Sequence, residues 1–116
     1  MVLVDTSVWV AHFRKPQRAL VDLLIEGLVL GHPFVMGELA CGNMNKRASV
    51  LADFAALPTA TRASDVEVMR LVEDRGLSGR GLGWVDVHLL ASALMSHCRL
   101  WTLDKRLGAA AGELGL

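Results

Sequence analysis

Four acidic residues interrupt apolar stretches of this chain: Asp5, Glu38, Asp86 and Asp104. Asp5 ends the run Met1-Val2-Leu3-Val4 and is followed by two hydroxyl residues, Thr6 and Ser7. Taken singly, each acid has a local reading. Asp5 and Asp104 suit turns or helix caps, and Asp86 suits a first helical turn, where the macrodipole favours an anion. Glu38 is harder to place, because Val35, Met36, Leu39 and Ala40 surround it and a buried glutamate needs a partner. Taken together, converging carboxylates would repel one another unless a cation joined them. A hard divalent ion, Mg²⁺ or Mn²⁺, takes oxygen ligands and meets that need. One or two such ions can activate water and stabilise the oxygens of an in-line phosphodiester displacement.

Convergence depends on the elements that carry the acids. A short continuous apolar run reads as a strand buried on both faces, as in a parallel sheet covered by helices. Met1–Val4, Leu28–Leu30 and Arg99–Leu103 fit that description, and Thr59–Thr61 is a weaker fourth candidate. Helical spacing predicts helices from Pro16 to Gly27, from Pro33 to Cys41 and from Lys46 to Leu57. A capping box, Ser64 with Glu67, opens another that ends at Gly76. Trp84–His97 is the longest apolar helix, and Asp104-Lys105-Arg106 opens the last. Val8–Phe13 continues the first strand as a short helix or turn, and Leu77–Gly83 is a Gly-rich loop. The alternation implies a three-layer α/β/α sandwich with a mostly parallel central sheet and right-handed crossovers. Asp5 and Asp104 then fall at one carboxyl edge, where open α/β sheets bind ligands.

The length, 116 residues, suits one domain spanning residues 1–116, and 53% hydrophobic residues suffice for a core without staples. Twelve basic and twelve acidic residues give a formal net charge of zero, which argues against a broad basic coat for nucleic acid. No apolar run is long enough to cross a membrane and no signal peptide is visible, so a cytoplasmic protein is expected. Cys41 and Cys98 lie apart without metal-ligand spacing and read as small buried fillers.

Four segments carry a resemblance: Val4-Asp5-Thr6-Ser7-Val8-Trp9, Gly37-Glu38-Leu39, Gly83-Trp84-Val85-Asp86-Val87-His88-Leu89-Leu90-Ala91 and Leu100-Trp101-Thr102-Leu103-Asp104-Lys105-Arg106-Leu107. Over nearly its whole length the chain resembles the PIN-domain ribonucleases, and among them the VapC toxins of bacterial toxin–antitoxin pairs. The resemblance implies a Mg²⁺- or Mn²⁺-dependent endoribonuclease acting on structured RNA such as transfer or ribosomal RNA. It also implies a homodimer and a cognate antitoxin whose segment occupies the acidic pocket. By position, Asp5, Glu38, Asp86 and Asp104 match the metal-binding acids, and Thr6 and Thr102 match supporting hydroxyls.

Arg80, Lys105 and Arg106 are candidates to meet RNA phosphates. His88 should point away from Asp86, two residues earlier on the same helix. His12, His32 and His97 share no ligand spacing, and Trp84 and Trp101 read as core residues rather than base-stacking platforms. An aspartyl phosphatase would want a second acid two residues after Asp5, where Ser7 stands. A receiver-like domain would want a late strand lysine, which Leu100–Leu103 does not supply. A PIN-like partner-binding module with weak or no catalysis remains the other alternative; cleavage assayed with and without a chelator separates it.

Overall fold

Val2–Val4 forms the central strand, β1, because it can be buried from both sides: Leu3 and Val4 are fully inaccessible to solvent. In the computed structural model, which describes residues 1–116, β1 is flanked by β2 (Val29–Leu30) and β3 (Arg99–Trp101), giving the order β2-β1-β3. Both pairings are parallel, with Leu3 opposite Leu30 on one side and Leu100 on the other. The chain leaves β1 for β2 on one flank and later arrives at β3 on the opposite flank. The order therefore reverses beside β1, which opens a crevice at the carboxyl ends of β1 and β3.

Seven helices surround this sheet, the expected α/β sandwich. Between β1 and β2 lie α1 (Thr6–Arg14) and α2 (Arg18–Ile25). Between β2 and β3 lie α3 (Pro33–Cys41), α4 (Arg47–Ala55), α5 (Asp65–Asp74) and α6 (Trp84–Met95), and α7 (Lys105–Glu113) ends the chain. Every residue from Val87 to Ala93 of α6 is buried, so this helix is enclosed on all sides, as its all-round apolar sequence requires. Leu20, Val35, Val68, Leu89, Leu90 and Leu107 join Leu3 and Val4 in one continuous core. No helix is long and apolar enough to cross a membrane.

Several expected boundaries move. Thr59–Thr61 is not a strand: a single parallel bridge, Gly31 with Thr59, is all that forms. Pro58 precedes it, Thr59 and Thr61 are exposed, and only Gly31 N–H to Pro58 O and Ala60 N–H to Gly31 O tie it to the sheet. Helix α6 stops at Met95, because His97 adopts a left-handed φ of 51° and its N–H turns back to Leu94 O. Pro16 lies ahead of α2, which Gln17 caps, rather than inside it. The Ser64–Glu67 capping box forms as read, with both reciprocal bonds made. Cys98 is buried, but Cys41 is exposed at the end of α3, and Trp84 is 44% exposed rather than a core residue.

Candidate active site

Asp5 is the N-cap residue of α1, yet its side chain makes no capping bond. Its carboxylate, only 7% exposed, turns instead toward β3. Oδ2 accepts two hydroxyl protons, from Ser7 Oγ and from Thr102 Oγ1, each at 2.7 Å. Those hydroxyls are themselves oriented: Ser7 Oγ accepts from Leu103 N–H and Thr102 Oγ1 from Asp104 N–H, both at 3.0 Å. The backbone repeats the link, with Asp5 N–H donating to Trp101 O at 2.9 Å. The ends of β1 and β3 are thus fastened around one buried acid, and its Oδ1 has no protein donor.

Glu38 differs from its sequence reading. It is exposed, because Val35 and Leu39 form the buried face of α3, and it reaches the start of α1, where Thr6 Oγ1 donates to Oε1 at 2.7 Å. Asp86, partly buried in the first turn of α6, accepts Gly83 N–H on Oδ2 at 2.8 Å. Burial raises its carboxyl above the usual aspartate range, the Gly83 bond opposes this, and the charges of Asp5 and Asp104 raise it further. Asp104 is exposed and caps α7, accepting Leu107 N–H on Oδ1 at 2.9 Å.

The four acids therefore share a pattern. Each uses one oxygen on a protein donor, leaving Asp5 Oδ1, Glu38 Oε2, Asp86 Oδ1 and Asp104 Oδ2 unbonded. None has a cationic partner; the chain's ion pairs join Arg18 to Asp22 and Arg80 to Glu113. A donor set of carboxylate oxygens without sulfur or imidazole fits a hard divalent cation. The acids do not preassemble a cage: no three acidic, His or Cys side chains stand at ligating spacing.

The pattern coincides with a family match, to the PIN domain, over residues 2–113. The chain belongs to the PIN-domain family. It is also 49% identical over 117 aligned positions to Ribonuclease VapC32 of Mycobacterium tuberculosis, in both the CDC 1551 / Oshkosh and the H37Rv strains. The alignment takes in 100% of this chain and 94% of each relative.

The remaining candidates of this PIN domain divide. Arg80 forks onto Glu113, with N–O distances of 2.6 and 2.9 Å, and so ties the Gly-rich loop to α7. The hydrogen bonds of this pair raise the arginine and lower the glutamate from their ordinary values. Lys105 and Arg106 are exposed in the first turn of α7, and the Arg106 side chain lies across Gly81. There φ is +76°, a backbone conformation that favours glycine.

His88 is fully buried and turned from Asp86. It sits edge-on between Phe34 at 4.7 Å and Trp84 at 4.6 Å, with Nε2 3.2 Å from Asp65 Oδ1. Sequence reading missed Ser7, whose hydroxyl stands beside Thr102 on the same carboxylate oxygen. The Asp-Thr-Ser run held that signal, since a hydroxyl two residues after an aspartate can close a local bond.

Proposed function

We propose that this PIN domain is a divalent-metal-dependent endoribonuclease and the toxin of a type II toxin–antitoxin pair. The four carboxylates at one sheet edge, each with one oxygen left without a protein donor, carry the reading. The likeness to a named ribonuclease along the whole chain supplies the substrate class. Structured RNA, transfer or ribosomal, is the proposed target, and Mg²⁺ or Mn²⁺ the proposed ion.

Asp5, Glu38 and Asp86 are the residues that would hold the ion, directly or through water, with Asp104 completing the negative field. When bound, such an ion lowers the pKa of water and offsets charge developing at phosphorus and on the leaving 3′ oxygen. The protein's own part is orientation. Ser7 and Thr102 fix the Asp5 carboxylate, and Thr6 fixes Glu38. Lys105 and Arg106, free of acidic partners beside Asp104, are the proposed phosphate contacts on that side. Arg80, already occupied by Glu113, contributes to the loop that leads to Asp86.

Next to Glu38 a groove runs between α1 and the α3–α4 turn, lined by Val10, Phe13, Arg14, Leu39 and Met44. We assign it to the cognate antitoxin segment, and we read the working form as a cytoplasmic homodimer. The direct test is incubation of the antitoxin-free protein with labelled transfer RNA. Cleavage in Mg²⁺ or Mn²⁺ that stops on chelation is expected; equal cleavage with chelator present would refute the metal-dependent reading.

A further inference from the structure

Residues 78–82 lead from α5 to Gly83, whose N–H holds Asp86 Oδ2. Gly79 and Gly81 take left-handed φ values of 72° and 76° on either side of Arg80. Glycine has the most backbone freedom to lose when a segment is fixed. Yet no backbone hydrogen bond joins residues 78–82 to any helix or strand. One polar link ties them down. Arg80 Nη1 and Nη2 fork onto Glu113 Oε2 and Oε1, at 2.6 and 2.9 Å, across 33 residues of sequence.

Helix α7 supplies the anchor. Glu113 is its last residue, where the macrodipole disfavours an anion, so an acid there gains from a cation facing it. Arg106, whose side chain lies across Gly81, stands seven residues earlier, on the same helix face and about 10 Å along it. One face of α7 therefore meets two successive loop residues, Arg80 and Gly81. The same helix is capped by Asp104, so the elements carrying two acids of the site are joined through it.

The Arg80–Glu113 pair is not placed to stabilise the whole fold. The two side chains are 31% and 59% exposed, and pairs so open to solvent add little to overall stability. Its effect is local. Between Arg80 and Gly83 stand only Gly81 and Leu82, and Leu82 packs against the core. With Arg80 released, the Gly83 N–H loses its fixed place on Asp86.

We propose that Arg80 and Glu113 are positioning residues for Asp86. Their fork keeps the Gly83 N–H on Oδ2, and so keeps the carboxylate oriented to meet a divalent cation. This rests on the metal-dependent reading above. It also sets Arg80 apart from Lys105 and Arg106, since its donors are committed to Glu113 rather than to a phosphate.

The test is Mn²⁺ binding by the RNA-free protein, measured by calorimetry. Arg80→Gln and Glu113→Gln should each weaken it about tenfold, the effect of losing a group that supports a ligand. The double variant should bind no more weakly than either single one, because the pair acts as a unit. The reversed pair, Arg80→Glu with Glu113→Arg, should recover most of the affinity. Melting curves in chelator should barely move, while amide hydrogen exchange quickens at Gly83 and the α6 core keeps its protection. In cleavage, the two Gln variants should need more Mn²⁺ to reach the wild-type kcat and should keep the wild-type KM for RNA. Arg18→Gln, which breaks the Arg18–Asp22 pair on α2, should alter none of these. Unchanged Mn²⁺ affinity in Arg80→Gln and Glu113→Gln would overturn the proposal. So would a raised KM for RNA with Mn²⁺ affinity intact, which would make Arg80 a phosphate contact. Absence of Mn²⁺ binding by the wild type would overturn the metal-dependent reading and the proposal with it.

Discussion

Thr102 Oγ1 donates to Asp5 Oδ2 at 2.7 Å across 97 residues of sequence, joining the carboxyl ends of β3 and β1. The same oxygen takes the Ser7 hydroxyl, so the deepest acid of the site has one oxygen fixed and one open. Thr102→Val keeps the shape of the side chain and removes the donor. Cleavage should fall about 10- to 100-fold, the usual effect of losing a group that orients a metal-binding side chain. Stability should fall by only about 1 kcal/mol. Cleavage rates and melting curves check this; unaltered cleavage would show that the hydroxyl does not orient Asp5.

Asp86 is held against its own preference. Its carboxyl is raised above the ordinary range by burial first and then by Asp5 and Asp104, with Gly83 opposing. A raised acid binds its proton more tightly in the folded state, so ionisation weakens the fold as pH climbs through the raised value, and the effect is absent below the unfolded value. Without divalent metal at neutral pH, Asp86→Asn should therefore melt higher than wild type while cutting no RNA. Melting with chelator present measures it; a lower melting point would contradict the electrostatic account.

Divalent metal should also shift the stability of the fold. An ion that binds only the folded protein raises its melting temperature, increasingly so as its concentration exceeds the dissociation constant. Mn²⁺ should stabilise the wild type and fail to stabilise Asp5→Asn. Equal shifts in both proteins, seen by differential scanning fluorimetry, would place the ion elsewhere.

His32 sets a separate pH limit. Burial, followed by the charges of His88 and Arg62, lowers it from 6.5 to about 4. Its neutral ring caps α3, with Nδ1 accepting Phe34 N–H and Nε2 3.0 Å from Ser92 Oγ. Protonation would turn the Nδ1 acceptor into a donor facing Phe34 N–H. The unfolded chain binds the proton more readily, so stability should decline as pH falls from 6.5 toward 4. His32→Asn retains a capping oxygen without a titrating ring, and its melting temperature should decline less over that window. Parallel curves for the two proteins would exclude His32 as the source.

What was legible in the sequence was what is local or enforced by burial. Val2–Val4 read as a strand because a segment covered on both faces must be apolar throughout, and that placed Asp5 at the carboxyl edge. Ser64 and Glu67 read as a cap because three residues of spacing suffice to close it. Thr59–Thr61 misled because strand propensity does not supply a partner, and the sheet offered it one bridge. Glu38 was misread as buried because the apolar residues on both sides of it do not reveal which face of α3 the rest of the chain covers. Ser7 bridging to the β3 end, and Arg62 settling on Phe34, are tertiary contacts between segments distant in sequence, which periodicity along one segment cannot report.

The most direct measurement compares wild type and Asp5→Asn, both shown to be folded by circular dichroism, cutting the same labelled RNA at saturating Mn²⁺. The account predicts defined products from the wild type and none from the variant, because removing one carboxylate charge leaves the fastening of β1 to β3 but not the ion. Cleavage by Asp5→Asn at the wild-type rate would contradict it.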